Sequence, residues 1–363
     1  MITAEAVPGG ATSVERRPVR GRGRRECRMV GVVTEVEAPA APPVAPGWLR
    51  ALRLAVLACC ALVLLVPAAL IVVRLGGLDD GTDLSLPVAG VPYVAVLSVL
   101  VLFTTALLRS RALTAVALAL TAVQLFWLVP RFVGDGGGVP TSAPRLRLAT
   151  SNAYLGQVDP AALVRLAREE RVDVLAVEES NPGLANALER AGMAGVLPYK
   201  VAGRYSDTAL YSRLPLSAAR VADAPFSDEP TSAEVAVEGR TVRVVAVHTY
   251  YPLGDSRKWA AGFDALRSDV AGRARNAVLL GDFNATLDHT PMRRLLDTGL
   301  TDTHAELGRG FDGTWPADRP VLPPVLQLDH VLHGDGLKAV TVAERTLPGT
   351  DHRAVVAELA VTG

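Results

Sequence analysis

The chain has 363 residues, enough for about two domains, and its hydrophobic content of 50% is high for a purely soluble protein. Its overall charge is balanced, with 37 Lys and Arg against 37 Asp and Glu, but residues 144–363 alone hold 24 basic and 28 acidic side chains. This mildly acidic part of the chain lacks the basic footprint of a typical nucleic-acid-binding protein.

The N-terminal tail is basic, with seven arginines among its first thirty residues. Its content of Ala, Pro and Gly predicts that residues 1–47 are disordered. A basic tail beside a membrane segment usually determines topology or contacts lipid head groups. Binding of nucleic acid by this tail is the alternative interpretation.

Three uncharged segments follow the tail, namely 54–73, 84–108 and 112–130. A membrane helix needs about 20 apolar residues, and we therefore predict a three-helix membrane anchor over residues 48–131. Buried helices of a soluble core are the alternative. A cleaved signal peptide is disfavoured, because the first apolar segment begins more than fifty residues into the chain.

The charges between these segments predict their orientation. The link between the second and third segments, residues 109–111, contains two arginines, whereas the link between the first and second contains one arginine and three aspartates. Cytoplasmic loops are enriched in Lys and Arg. We therefore expect a multi-pass protein of the cell membrane, with its N-terminus inside and everything after Pro130 outside.

A Gly- and Pro-rich stretch, residues 132–144, predicts a linker to a globular domain over residues 145–363. The three cysteines of the chain all precede residue 61. Disulfides and cysteine-based metal sites are therefore excluded from the globular domain. All six histidines, in contrast, lie between His248 and His352.

The globular domain alternates predicted strands and helices. Asp159 and Pro160 mark the start of a helix, as cap and first helical residue. Residues 233–250 predict a β-hairpin that turns at 238–240, and residues 257–275 predict an amphipathic helix. Strands joined both by hairpins and by helices predict an α/β fold of two packed β-sheets with helices outside.

Polar side chains stand where these predicted strands end. Asp282 and Asn284 follow the apolar run 278–280, and side chains two positions apart on a strand share a face. If the strand ends converge, their carboxylates cluster, and burying such a cluster without a compensating positive charge would cost free energy. The pattern therefore predicts a hard divalent cation such as Mg²⁺, which binds carboxylate and phosphate oxygens. The other strand-end residues are Asn152, Glu178, Glu179, His248, Asp329, His330, Asp351 and His352.

These motifs, in this order, resemble the endonuclease/exonuclease/phosphatase superfamily of Mg-dependent phosphoesterases, whose fold is a four-layered α/β sandwich. The strongest similarities are GDFNA (281–285) and TDHRAVV (350–356). TSNAYLG (150–156), DVLAVEES (173–180) and LDHVL (328–332) are similar to the remaining motifs of the family.

Three positions depart from the family pattern. Ser151 stands where the family often has Trp, Glu178 where it has Gln, and Thr350 where it has Ser. The change to Glu178 leaves two adjacent glutamates as candidate metal ligands. Alignment with the family motif favours Glu179.

The resemblance implies hydrolysis of a phosphate ester by in-line attack of water. It assigns Glu179 to the metal, with Asn152 and Asp351 nearby. The implied ion is Mg²⁺, and Mn²⁺ is the alternative.

The resemblance also implies catalytic roles for five residues. Asp282 would orient or deprotonate the attacking water, and Asn284 would hydrogen-bond the phosphate or the nucleophile. His352, oriented by Asp329, would donate to a phosphoryl oxygen, and His248 would contact the phosphate or act as a general acid. The remaining histidines are expected to be structural, with His330 pointing away from the site. The other three, His289, His304 and His333, are expected to lie on loops.

A membrane anchor ahead of such a domain also resembles a bacterial branch of the family associated with teicoplanin resistance, which implies a lipid-linked phosphate of the cell envelope as substrate. The expected partners are the lipid bilayer and this phosphorylated substrate, and nothing in the sequence indicates a protein partner. Two alternatives remain: a membrane-tethered nuclease and a catalytically inactive binding module.

Overall fold

The computed structural model describes residues 47–135, 137–227 and 229–363. The predicted disordered tail, whose arginines carry much of the orientation argument, therefore lies almost wholly outside the described residues. Contacts within the chain separate the residues up to Leu52 from a compact unit that spans Arg53–Gly363.

The N-terminal part of the described chain, residues 47–132, is helical. Two helical stretches are long and apolar enough to cross a membrane, Gly47–Gly76 with 30 residues and Arg111–Phe132 with 22 residues. The helices of this region are α1 (Gly47–Val63), α2 (Leu65–Gly76), α3 (Ser85–Val88), α4 (Val91–Leu107) and α5 (Arg111–Leu128).

The structure corrects the prediction of three long membrane helices. The second apolar segment is divided into the four-residue α3 and the 17-residue α4. Gly90 is the N-cap of α4 and Pro92 lies in its first turn, a position that proline favours, so a new helix begins here. Two helical stretches therefore meet the criterion for a membrane span, and α4 falls short of it.

Several polar side chains of the helical region are buried, whereas some of its large apolar side chains are exposed. Gln124 of α5 donates to the hydroxyl of Ser98 on α4 at 2.8 Å, and both side chains are buried. Phe103 and Leu107 of α4 and Phe126 of α5 are more than two-thirds exposed. This inverted distribution is typical of helices that pack together in a lipid environment.

The remaining chain forms two six-stranded mixed sheets. Their strand orders are β11-β12-β1-β2-β4-β3 and β5-β6-β7-β8-β10-β9. In chain order the elements are β1 (Arg145–Asn152), α6 (Pro160–Glu169), β2 (Val174–Glu178), α7 (Pro182–Arg190), β3 (Tyr199–Ala202), β4 (Ala209–Ser212), β5 (Leu216–Arg220), β6 (Ser232–Val237), β7 (Arg240–His248), α8 (Pro252–Val270), β8 (Ala277–Asp282), α9 (Thr290–Leu296), β9 (Leu300–Asp302), α10 (Thr303–Glu306), β10 (Asp329–Gly334), β11 (Leu337–Thr346) and β12 (Arg353–Val361).

Three hydrophobic cores define the layers. Leu148 and Val244 belong to the core between the two sheets. Leu163 and Leu188 join α6 and α7 to the outer face of the first sheet, and Trp259 joins α8 to the second, in a core that also contains residues of α9. Two packed mixed sheets with helices outside are the fold that the sequence predicted.

Local sequence signals explain two of these elements. The carboxylate of Asp159 accepts a hydrogen bond from the backbone of Ala161, and Pro160 is the first residue of α6. The β6–β7 hairpin turns at Glu238 and Gly239, both of which have positive φ, as a tight two-residue hairpin turn requires.

The strand ends that carry the polar residues meet at one end of the sandwich. In the second sheet, Asp282 lies opposite both His248 and Asp329 in the strand register. In the first sheet, Asn152 lies opposite Glu178. The ends of the two sheets are close enough for a direct hydrogen bond between Asn152 of the first sheet and Asp282 of the second.

Candidate active site

The GDFN stretch turns sharply at the end of β8. Gly281 has a φ of +148°, and a Cβ atom at this position would lie 1.9 Å from the carbonyl oxygen of Val247 on β7, so no side chain fits. Phe283 is fully buried in the core beside α8. Asn284 takes the left-handed conformation, with φ of +48°, and its amide returns to within 3.2 Å of Asp282.

Asp282 is buried and accepts several hydrogen bonds. Its Oδ1 accepts from the backbone of Asn284 at 2.8 Å, and its Oδ2 accepts from Nδ2 of Asn152 at 3.0 Å. Burial raises the pKa of Asp282, while the neighbouring His352 opposes this rise. A carboxylate with a raised pKa that is still held ionised by a cation nearby is suited to accept a proton.

Asn152 connects the carboxylates of the two sheets. Its Oδ1 accepts from the backbone of Tyr154 at 2.9 Å, which fixes the orientation of the amide. The Nδ2 group then donates to Oε1 of Glu179 at 3.0 Å as well as to Asp282. The other oxygen of Glu179 accepts from the backbone of Leu155 at 2.7 Å.

The two adjacent glutamates point in different directions. Glu179 has a φ of +52°, and its side chain lines the cavity above the strand ends. Glu178 is fully buried, where its Oε1 accepts from the hydroxyl of Thr150 at 2.7 Å. Burial raises the pKa of Glu178 to about 8, so this side chain is largely neutral at pH 7, as a glutamine would be. Glu179 is therefore the glutamate that faces the cavity.

His352 forms a close pair with Asp329. Its Nδ1 lies 2.8 Å from Oδ2 of Asp329, and its Nε2 lies 3.8 Å from Asp282. Burial alone would lower the pKa of His352, but the carboxylates of Asp329 and Asp282 raise it to about 10. The imidazole is therefore a protonated hydrogen-bond donor at neutral pH.

His248 forms a second pair, with Asp207. Its Nδ1 lies 2.6 Å from Oδ2 of Asp207, and its Nε2 lies 3.8 Å from Glu179. Burial opposes protonation here too, but the hydrogen bond that His248 donates to Asp207 and the negative charge of Asp207 raise the pKa of His248 to about 9. Asp207 escaped the sequence analysis because it lies in a loop before β4 without a recognisable motif.

A cavity of about 740 Å³ opens above these residues. Pockets of this size hold drug-sized molecules, so the cavity has room for more than a phosphate group. Its polar floor consists of Glu179, Asp207, His248, Asp282, Asn284, Asp351 and His352. Its apolar walls include Leu86, Ala89, Tyr154, Leu155, Pro225, Phe226, Tyr251, Leu253, Trp315, Leu326 and Leu328.

The oxygen-rich side of this floor fits a hard divalent cation. Glu179 offers carboxylate oxygens at the cavity, and Asp351 has one buried oxygen, Oδ1, without a hydrogen-bond partner. The other oxygen of Asp351 accepts from Nε1 of Trp315 at 3.0 Å. The hydroxyl of Thr350 donates to the backbone of Asn152 at 2.8 Å, which holds the segment before β12 beside Asn152. Oxygen ligands of this kind suit Mg²⁺ or Mn²⁺.

A second group has a compatible spacing but a different role. One ligand atom each of Asp282, Asp329 and His352 lie within 4.8 Å of one another. Although burial opposes it, the carboxylates of Asp329 and Asp282 raise the pKa of His352 to about 10, and its Nδ1 donates to Asp329. Hydrogen bonding between a cationic imidazole and two carboxylates accounts for this spacing.

The other four histidines are buried and paired. The expectation that three of them lie on loops is wrong for His304, which lies in α10, and for His333, which lies in β10, while His289 is the N-cap of α9. His330 points away from the site, as predicted, and its Nδ1 lies 2.9 Å from Asp302. Long-range partners such as Asp302 cannot be identified from sequence spacing.

Comparisons with known proteins agree with this geometry. The family model described as "Endonuclease/Exonuclease/phosphatase family" matches residues 149–352, more than half of the chain. The chain belongs to this family. Its members are metal-dependent hydrolases of phosphoric esters. No curated protein matches the sequence significantly.

Three solved structures illustrate the likeness of this family member to others. Humanised TDP2 of D. rerio is 15% identical over 59% of this chain and 98% of its own, with a TM-score of 0.48. An endonuclease/exonuclease/phosphatase from Beutenbergia cavernae is 19% identical over 61% of this chain and 72% of its own, with a TM-score of 0.47. Beta toxin from Staphylococcus aureus with bound magnesium ions is 14% identical over 58% and 98%, with a TM-score of 0.45. Likenesses this distant say nothing about the substrate of this protein.

Proposed function

We propose that the protein is a membrane-anchored, Mg-dependent hydrolase that cleaves a phosphate ester or pyrophosphate of a cell-envelope lipid outside the cytoplasm. The observation that carries the catalytic part is the position of Asn152, whose amide joins Glu179 of one sheet to Asp282 of the other. These two hydrogen bonds support a metal-binding side at Glu179 next to a proton-accepting side at Asp282.

The residues of the floor divide the chemistry between them. Asp282 accepts the proton of the attacking water, and Asn284 holds the Asp282 carboxylate in place through its backbone and its amide. His352, kept protonated by Asp329, donates to a phosphoryl oxygen as negative charge develops there. His248, kept protonated by Asp207, contacts the phosphate or donates a proton to the leaving group.

Glu179, Asn152 and Asp351 would hold Mg²⁺, with Mn²⁺ as the alternative ion. A divalent cation bound there neutralises phosphate charge and stabilises the leaving oxygen. The carboxylate of Glu179 is already oriented for this role by the backbone of Leu155 and the amide of Asn152.

The helical region supports membrane anchoring. Its outward-facing side chains are large and apolar on α4 as well as on the two longer stretches, and α4 packs against α5 through buried polar groups. The arginines of the tail and of the link 109–111 favour a cytoplasmic tail, and the proposed position of the catalytic domain outside the cytoplasm rests on this charge pattern.

The nuclease alternative finds less support. Among the described residues that line the cavity there is no Lys or Arg, whereas proteins that follow a nucleic-acid backbone line their grooves with basic side chains. The alternative of an inactive binding module is disfavoured by the complete and hydrogen-bonded set of acid, amide and histidine side chains. The resemblance to teicoplanin-resistance-type proteins adds the cell-envelope lipid to this proposal.

Hydrolysis of phosphate esters by the full-length chain in detergent, measured by chromatography of the products, tests the function. The substrate panel contains lipid pyrophosphates, phosphoinositides, sphingomyelin and DNA, each with Mg²⁺ and with EDTA. We expect hydrolysis of a lipid phosphate that EDTA abolishes. Hydrolysis of DNA alone would favour the nuclease, and activity that survives EDTA would contradict the metal assignment.

A further inference from the structure

One wall of the catalytic cavity comes from the helical region rather than from the sandwich. Ser85, Leu86 and Ala89, at the short helix α3, line the cavity together with residues of the polar floor. The anchor is therefore part of the active site as well as a tether to the membrane.

Three sets of contacts fix α3 in this position. The buried carboxylate of Asp79 accepts from the backbone and the hydroxyl of Thr290, at 2.7 and 2.6 Å. Nε2 of His289 donates to the carbonyl of Ser85 at 2.9 Å. The hydroxyl of Tyr93, at the start of α4, donates to the carbonyl of Val325 in the segment that carries Trp315. The connection between α2 and α4 thus packs against both sides of the catalytic cavity.

The wall at α3 contains the exposed apolar residue Leu86, and a second exposed apolar residue, Leu253, lines the same cavity. Leu86 is 40% exposed and Leu253, in the first turn of α8, is 77% exposed, although both line the cavity. Large apolar side chains left exposed beside a polar floor indicate a ligand with an apolar part. In the proposed function, phosphate binds at the polar floor. The exposed wall is continuous with a helical bundle whose outer surface is apolar.

We propose that α3 is the specificity-determining element of the site: Leu86 and Ala89, with Leu253, hold the apolar chain of an amphiphilic phosphate while its phosphate lies on Asp282 and His352. This inference rests on the proposed function and adds the part of the chain that selects the substrate. The occupant to which it commits is a single extended hydrocarbon chain attached to phosphate.

The test compares substrates that share a head group and differ in chain length. Full-length protein in detergent micelles with Mg²⁺ is assayed on the phosphate and diphosphate monoesters of hexadecanol and of butanol. The variant Leu86→Asp places a charge on the wall. Leu84→Asp is the matched control, because Leu84 is 42% exposed, lies two residues away and does not line the cavity.

We expect the parent to favour the hexadecyl ester in kcat/KM, and Leu86→Asp to lower this preference at least about tenfold, since burial of two methylene groups is worth about that factor. Leu86→Asp should lower hydrolysis of the butyl ester less than that of the hexadecyl ester, and Leu84→Asp should behave as the parent. Leu253→Asp, at a highly exposed position on the other element of the wall, should repeat the effect if Leu86→Asp fails to fold.

Equal losses on both esters, or equal effects of Leu86→Asp and Leu84→Asp, would overturn the role of α3 while leaving a phosphoesterase. A parent without any chain-length preference would overturn it too. Failure of the parent to hydrolyse any ester of the panel would instead contradict the proposed function, and this inference with it.

Discussion

Nδ1 of His352 donates to Oδ2 of Asp329 across 2.8 Å, and this pair is buried at the floor of the catalytic cavity. The bond fixes the ring so that Nε2 points toward Asp282, at 3.8 Å. Because a carboxylate lies on either side of the ring, the imidazole keeps its proton well above neutral pH. In the proposed mechanism, Asp329 therefore acts through His352.

Replacement of Asp329 by Asn should shift the pH profile. The carboxylate helps to raise the pKa of His352 to about 10, so its removal lowers that pKa and the histidine loses its proton at lower pH. We expect the alkaline fall of kcat in Asp329→Asn at lower pH than in the parent, and a reduced kcat at pH 7. Unchanged pH profiles would mean that Asp329 has only a structural role.

Replacement of Asp282 by Asn tests the chemistry of the GDFN stretch. The amide keeps the volume of the side chain but cannot accept a proton from water, and general-base assistance is worth about 10²–10⁴ in rate. We expect kcat to fall at least about 100-fold with little change in KM. Thermal stability should hold or rise slightly without metal, because burial already disfavours the charged carboxylate. A kcat of Asp282→Asn equal to that of the parent would mean that the GDFN stretch has only a structural role.

Replacement of Asp288 by Asn, six residues further on, should have the opposite effect. Asp288 is buried between Arg74 of α2 and Arg131, which lie 3.3 and 2.8 Å from its Oδ1. Removal of one partner from a buried ion pair costs about 3–5 kcal/mol. We expect a lower melting temperature in detergent, with kcat of the folded protein less affected than in Asp282→Asn. A stable Asp288→Asn protein would show that this contact does not hold the two regions together.

The adjacent glutamates provide a matched pair of variants. Glu179→Gln removes a carboxylate at the cavity and should lower activity by orders of magnitude and weaken Mg²⁺ binding, measured by titration calorimetry. Glu178→Gln should leave both nearly unchanged, because the pKa of about 8 keeps this buried side chain largely neutral at pH 7. Loss of activity and Mg²⁺ binding in Glu178→Gln, with both retained in Glu179→Gln, would make Glu178 the metal ligand.

The pair of Asp302 and His330 predicts a loss of stability in acid. Although burial alone would raise it, hydrogen bonding to His330 lowers the pKa of Asp302 to about 2, against about 3.9 in the unfolded chain. The pair therefore stabilises the fold above the unfolded pKa, and this contribution is lost as pH falls through about 2. Asp302→Asn keeps the cap of α10 and should remove this part of the acid dependence of the melting temperature. The same slope in both proteins would contradict the assignment.

The sequence predicted the sandwich and most of the site because both depend on local patterns. Apolar runs that end near Asn152, Glu179 and Asp282, or that begin just after His352, specify strands. The order of their motifs specifies the edge at which these strand ends meet. The sequence does not predict that Glu178 points into the core and Glu179 toward the cavity, because this difference depends on the left-handed backbone conformation of Glu179.

Two features of the structure depend on partners far apart in the chain. Asp207 pairs with His248 across 41 residues, and Arg74 pairs with Asp288 across 214. Sequence spacing carries no signal for such pairs. The division of the second apolar segment has a local cause instead: its lack of charge predicts one helix, whereas Gly90 and Pro92 start a new helix within it.

The central claim is that Glu179 and its neighbours hold a divalent cation for phosphate-ester hydrolysis. The most direct measurement is phosphate release from a lipid pyrophosphate by the full-length protein, before and after EDTA and after Mg²⁺ is returned, in the parent, Glu178→Gln and Glu179→Gln proteins. We expect activity that EDTA abolishes and Mg²⁺ restores in the parent and in Glu178→Gln, and almost none in Glu179→Gln. Metal-independent release, or full activity of Glu179→Gln, would contradict the account.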